Sequence, residues 1–341
     1  MLEIEELLRS PAWLPLRAQG GRGGLTMLKL DENAYQAASF LDERLLEGPF
    51  ERTACAVATV EAAAAGVAPR SHYIFHIGHV GSTLISRLVG EHERFFSLRE
   101  PALLRAVADD AGSPGSRRAP LSLGVLQALF ARTWRAAQTS IIKPTSIVNE
   151  CAETILAGAD LPRAIFVFAD PLAYLRGIMA GPNSRLESQA MAPGRCRRLL
   201  RRLRLDESQV DPAASEGERI AMNWLSEMTT LQQAAGGDAA RVLWVAFDVF
   251  LQEPMAGLAA IFRALGAPAS DAEVGRLVTG PLMRRYSKAP QLAYDAALRR
   301  DVLRAAQHDH GGEIKRGIRW LGRMGARHPL VRTILDQRGC P

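Results

Sequence analysis

The sequence predicts an α/β fold of three layers, a mostly parallel central sheet flanked by helices, and three observations carry that expectation. First, apolar runs at 73–77, 95–100, 139–147, 163–170 and at the start of 241–254 have the length and bounding turns of strands buried on both faces. Second, helical patterns stand between these runs, so consecutive strands are joined by crossovers rather than hairpins. Third, the first run passes through a glycine loop directly into a helix, HYIFHIGHVGSTLISRLVG over 72–90. Strand, glycine loop and helix start together form a phosphate cradle, so the fold expected is of the P-loop type.

Within that stretch Tyr73 to Ile77 is the strand. Gly78, His79, Val80 and Gly81 form the loop, and Ser82 opens the helix with Leu84, Ile85, Leu88 and Val89 inward. Glycines let backbone N–H groups approach an anion, and the helix N-terminus adds unpaired donors and a partial positive charge. Ser82 and Thr83 add hydroxyls. A nucleotide-hydrolysing loop carries a lysine directly after its second glycine. Here Ser82 follows Gly81, so the loop has no lysine. A plain turn between strand and helix is the alternative.

The bulk numbers bound the function. A chain of 341 residues buries a sizeable core, and 48% apolar with 23% charged residues is ordinary for a globular protein. The formal charge of +6 favours anionic ligands only weakly. Cys55, Cys151, Cys196 and Cys340 are scattered without metal spacing, which predicts a reducing compartment, no disulfide framework and no metal site. No secretory signal and no apolar run long enough for a transmembrane segment is visible, so the expected location is cytoplasmic.

Residues 1–70 are expected to form an N-terminal helical segment packing on the main domain, with helices at 39–46 and 53–68; residues 71–341 are the α/β domain. The second strand delivers Glu100 at its carboxyl end, where ligands bind in open parallel sheets. Glu100 is placed either to take a proton from an acceptor or to favour the dipole of the following helix. Lys143 leaves the third strand ahead of Pro144, as an ammonium reaching an anion or as a snorkelling surface residue. Asp170 ends the fourth strand in a position that a magnesium-holding acid of an ATP-using enzyme would occupy. Residues 195–204 hold six arginines among leucines, read as a solvated helix or a lid over an anionic cofactor, with binding to a polyanion, nucleic acid or membrane surface as the alternative. No aromatic residues interleave them, so nucleic acid is not an expected partner. Asp248 is read as a helix cap, 280–295 as a basic loop, and the tail from 311 as peripheral.

The order Gly-Ser-Thr-Leu after a strand resembles the 5′-phosphosulfate loop of the sulfotransferase family, which takes a sulfuryl group from PAPS (3′-phosphoadenosine-5′-phosphosulfate). The resemblance spans roughly 72–295. It implies that Gly78, Val80, Gly81, Ser82 and Thr83 hold the donor, with His79 standing where the family carries Arg or Lys. It implies Glu100 as base and Lys143, in Lys-Pro, facing the transferred group. The family's Arg-Asp-Pro segment is Ala169-Asp170-Pro171 here, and Gly177 replaces its serine. Asp170 and Arg176 would then serve the 3′-phosphate, with Arg284, Arg285, Ser287 and Lys288 of the late RRYSK loop supplying cations and contacts. The activity implied is sulfuryl transfer to a hydroxyl or amine of a small-molecule or peptide acceptor. The alternatives are an ATP-dependent phosphotransferase using Asp170 and magnesium, or a non-catalytic anion- or partner-binding relative. Acceptor identity and oligomeric state are left open.

Overall fold

A computed structural model describes residues 7, 10–19, 23–112, 119–158, 160–206, 215–237, 239–287, 291 and 293–339, with the side chains of 109–112 outside the description. Lys288 and Cys340 lie outside the described residues. The chain opens with strands β1 (Trp13–Gln19) and β2 (Gly24–Lys29), helix α1 (Glu32–Ala37), strand β3 (Arg52–Ala56) and helix α2 (Val57–Ala64). The three strands pair antiparallel in the order β1-β2-β3. The expected N-terminal helical segment is therefore largely a small sheet. Residues 43–47 form only a 3-10 turn, and the alanine-rich run divides into strand and helix at Ala56. Alanine favours helix, but Thr53 and Cys55 pair with Met27 and Leu25 of β2, and that tertiary pairing overrides local propensity.

The main sheet contains β4 (Ser71–His76), β5 (Phe95–Arg99), β6 (Thr139–Lys143), β7 (Ala164–Phe168) and β8 (Val242–Ala246). All neighbours are parallel, in the order β5-β6-β4-β7-β8. The sequence-predicted α/β class holds: a five-stranded parallel sheet flanked by helices. Between the strands run α3 (Ser82–Gly90), α4 (Ala102–Gly112), α5 (Leu123–Phe130), α6 (Ala152–Leu156), α7 (Pro171–Met179), α8 (Pro182–Leu203) and α9 (Glu216–Ala235). After β8 come α10 (Phe247–Gln252), α11 (Pro254–Ala264), α12 (Asp271–Thr279), α13 (Ala296–Arg327) and α14 (Pro329–Arg338).

This order places the crevice. The crossover from β4 to β5 moves one way along the sheet, and every later crossover moves the other. With right-handed connections, the chain leaving β4 and the chain leaving β6 part to opposite faces. The carboxyl end of β4 is thus a topological switch point, where open α/β sheets bind ligands.

Three arginines brace the sheet to the N-terminal segment. Arg87 and Arg99 donate to carbonyls around the C-terminus of α1, namely Gln36 and Ala37 for Arg87, and Tyr35, Gln36 and Ala38 for Arg99. Those carbonyls carry the negative end of the helix dipole. Burial pushes Arg99 down to about 9, helped by the neighbouring Arg87 charge, and the guanidinium remains a cation at neutral pH. Arg132 likewise donates to Leu7, Ser10, Trp13 and Leu129 carbonyls.

The tail is not peripheral. Helix α13 buries Ile314, Trp320, Leu321 and Met324. It crosses α9 where Gly217 meets the Glu313 backbone; a Cβ at Gly217 would stand 1.9 Å from the Glu313 carbonyl oxygen. No described helix is long and apolar enough to cross a membrane.

Candidate active site

A cavity of about 190 Å³ opens at the carboxyl end of β4. Its described lining comes from the exits of β4, β5, β6 and β8, from α7, α8 and α13, and from the 283–287 loop.

The β4 exit forms its floor. His76, the last residue of the strand, accepts the Gly78 N–H at Nδ1 (3.0 Å), and its Nε2 lies 3.0 Å from the Pro144 carbonyl. An Nδ1 that accepts has no proton, so Nε2 carries it and donates to Pro144. His76 thereby ties the β4 loop to the β6 exit. The loop then turns through positive φ at Gly78 (84°), His79 (55°) and Gly81 (68°). Gly81 is the N-cap of α3 and has no side chain to cap it. The first N–H groups of α3 are left for a ligand or solvent. Gly81 is also needed for packing, since a Cβ there would lie 2.0 Å from the Phe247 ring. Thr83 is 2% exposed, and its hydroxyl has no hydrogen-bond partner among the described residues. A buried polar atom without a partner, in a cavity wall at a helix N-terminus, fits a bound anion.

Glu100 stands across the cavity at the β5 exit, also at positive φ (53°). Its carboxylate accepts from Lys143 Nζ, and its N–H donates to the Lys143 carbonyl at 2.6 Å. The Lys143 side chain is 1% exposed and that of Glu100 14% exposed. Lys143 is therefore a buried partner of Glu100, not a snorkelling residue. It is absent from the described cavity lining and reaches the site through that carboxylate.

His79 lies in the wall between two residues of α8: Nε2 is 3.1 Å from Glu187 Oε2, and Nδ1 is 3.3 Å from Ser184 Oγ. Gly78, Val80, Gly81, Ser82, Arg285 and Ser287 all line the cavity. Ser287 is tied to the floor helix, its carbonyl accepting from Arg87 Nε at 3.2 Å.

Asp170 and Arg176 are not brought to the described lining. Asp170 caps α7, accepting the Ala173 N–H at 2.9 Å, and Arg176 donates to Gln307 Oε1 at 2.9 Å. The β7 exit turns into α7 at once through Pro171, so its acid serves the helix. This removes the placement on which the magnesium-dependent phosphotransferase depends. Asp248 was expected as a cap; instead it takes a bidentate pair from Arg299 at 2.6 and 2.9 Å, and Arg299 lines the cavity.

The arginine-rich stretch is solvated at Arg197, Arg201 and Arg204, while Arg195, Arg198 and Arg202 turn inward to buried acids. Arg195 donates to Glu227 (2.8 Å) and to Ser146 Oγ (3.1 Å). Arg198, Arg201 and Arg202 converge on Glu150. Asn149 joins the same network, donating to Glu227 (2.7 Å) and to the His76 carbonyl (2.9 Å). Sequence reasoning missed this network, and with it His76, Thr145, Ser146, Phe247 and Arg299. The available signal was the run of polar residues after Lys143, which is unusual directly beyond a buried strand.

No family model matches the chain, and no curated protein matches it. Among solved structures, the chain is similar to the sulfotransferase domain from the curacin biosynthetic pathway, with 14% identity over 69% of this chain and 87% of that one, at a TM-score of 0.41. It is similar to the sulfotransferase domain of the Synechococcus PCC 7002 olefin synthase, with 16% identity, 70% and 93% coverage, and a TM-score of 0.39. It is also similar to sulfotransferase STF9 from Mycobacterium avium, with 12% identity, 70% and 76% coverage, and a TM-score of 0.36. At these scores the likeness carries no functional argument.

Proposed function

We propose that the protein is a sulfotransferase that moves a sulfuryl group from PAPS to a hydroxyl or amine of a small-molecule or peptide acceptor. One observation carries the reading: a lysine-free glycine loop ends in an uncapped helix and a Thr83 hydroxyl unpartnered among the described residues, with Glu100 lining the same cavity. The loop N–H groups, Ser82 and Thr83 would hold the phosphosulfate, and Arg285 and Ser287 the 3′-phosphate. When bound, PAPS supplies the sulfuryl group on a phosphate leaving group.

Glu100 takes the proton as the acceptor oxygen or nitrogen bonds to sulfur. The sulfur–oxygen bond to the 5′-phosphate breaks, and its electron pair leaves on that phosphate. Fixed main-chain donors stabilise this charge without reorganising, which is the most effective form of such stabilisation. Lys143 holds the Glu100 carboxylate in place. His79, when protonated, adds a cation at the loop. Its bonds to Glu187 and Ser184 hold its ring at the cavity wall.

Thermal unfolding with PAPS, its product PAP (3′-phosphoadenosine-5′-phosphate), or ATP with and without magnesium tests this reading. A ligand at a hundredfold excess over its Kd stabilises the fold by about 2.7 kcal/mol. PAPS and PAP are expected to raise the melting temperature without magnesium. Stabilisation by magnesium-ATP alone, or by none of these ligands, overturns the proposal.

A further inference from the structure

The exit of β6 lies beside the β4 loop in the cavity wall, with Ser146 Oγ 4.0 Å from where a Cβ at Gly78 would stand, and presents two hydroxyls. Thr145 is the N-cap of the 3-10 turn Ser146–Cys151, a position from which a threonine oxygen ordinarily accepts a bond from the turn's own N–H groups. It makes no such bond, and its Oγ1 is buried without a partner among the described residues. Ser146 Oγ accepts from Arg195 Nη2 at 3.1 Å. A guanidinium only donates, so the serine proton is not used in that contact and remains free to donate elsewhere. Thr145, Ser146 and the unpartnered Thr83 line the same cavity. They approach it from the two strand exits that part at the switch point.

The charge beneath them is placed but balanced. Arg195 Nη2 would lie 3.9 Å from a Cβ at Gly78, just behind the loop, while its Nε is engaged by Glu227 at 2.8 Å. Its effect on Ser146 is therefore chiefly one of direction. Unmade hydrogen bonds of buried hydroxyls are costly, and hydroxyls turned toward a charged acceptor are worth more than those turned toward a neutral one.

We propose that Thr145 and Ser146 complete the oxyanion site: their hydroxyls donate to the same tetrahedral group, sulfuryl or phosphoryl, that the neighbouring β4 loop and Thr83 hold. Arg195 is a positioning residue that orients the Ser146 hydroxyl. This rests on reading the cavity as the site of the sulfuryl donor.

The test is isothermal titration of the full chain and its variants T145V, T145S and S146A with PAP and, separately, with inorganic pyrophosphate. T145V and S146A are each expected to weaken both probes about tenfold, the loss of one charge-assisted hydrogen bond. T145S keeps the hydroxyl and is expected to retain affinity within about twofold. Comparing T145V with T145S separates a lost donor from a disturbed turn. S146A adds an arm in which Arg195 keeps its bond to Glu227. Should the variants bind PAP as tightly as the parent, the hydroxyl pair is wrong while the sulfotransferase reading stands. Should the parent bind pyrophosphate but not PAP, with T145V and S146A weakened, the pair stands and that reading falls. Binding of neither probe by the parent overturns both.

Discussion

Replacing Gly81 by alanine probes the loop most sharply, because Gly78 provides an internal control. Both glycines sit at positive φ, 68° and 84°. An L-residue in left-handed backbone costs roughly 1–2 kcal/mol. At Gly78 that is the whole penalty, since the nearest atoms to a new Cβ are Arg195 Nη2 at 3.9 Å and Ser146 Oγ at 4.0 Å, ordinary contacts. At Gly81 the Cβ would lie 2.0 Å from Phe247 Cε2 and Cζ, so the ring must move. Phe247 is buried and lies 5.0 Å beneath the Arg299 guanidinium. Displacing it is an overpacking cost of about 1–3 kcal/mol. Gly78→Ala is thus expected to cost about 1–2 kcal/mol and Gly81→Ala about 2–5 kcal/mol in urea unfolding. Combining Gly81→Ala with Phe247→Leu should recover part of the difference, because the two positions touch. Equal costs at the two glycines, or no recovery in the double variant, would refute the steric reasoning.

Four further outcomes follow from the geometry. Lys143→Met leaves the Glu100 carboxylate without its buried partner and is expected to destabilise the protein by about 3 kcal/mol, with partial recovery on adding Glu100→Gln; urea titration of the cycle checks this. Glu100→Gln alone should slow PAP formation from PAPS, in the presence of a panel of phenols and amines, by a factor of about 10² or more, while PAP affinity changes little. Asp170→Ala removes the cap of α7 and should cost about 1 kcal/mol without altering PAP affinity. The bidentate bond from Arg185 pulls the Glu216 carboxyl below its usual 4.5. A depressed folded-state value means that its contribution is complete above about pH 4.5 and is lost as pH falls through the lower value. Melting temperature measured across that range should therefore fall less steeply in Glu216→Gln.

The parallel sheet was legible because its strands are short, apolar and separated by helical patterns, and the strand–loop–helix junction at 76–82 because its parts are contiguous. Glu100 was legible from its place at a strand end. What escaped depends on contacts distant in sequence. Nothing local distinguishes Thr53 to Ala56, which pair as a strand, from the alanines that follow them in helix α2. Arg195, Arg198 and Arg202 look like a solvated face until Glu227 and Glu150, on other segments, are seen to receive them. Asp170 and Glu100 both end strands, yet the chain leaving β7 enters its helix at Pro171 and turns its acid into a cap. A sequence motif marks the strand end but not the direction of the side chain.

A crystal structure with PAP bound addresses the central claim directly. The account predicts the 5′-phosphate seated on the main-chain N–H groups at the start of α3, within hydrogen-bond distance of the Thr83 hydroxyl, with Glu100 facing it across the cavity. A nucleotide bound elsewhere, or a phosphate held only by side chains away from Gly81, would contradict it.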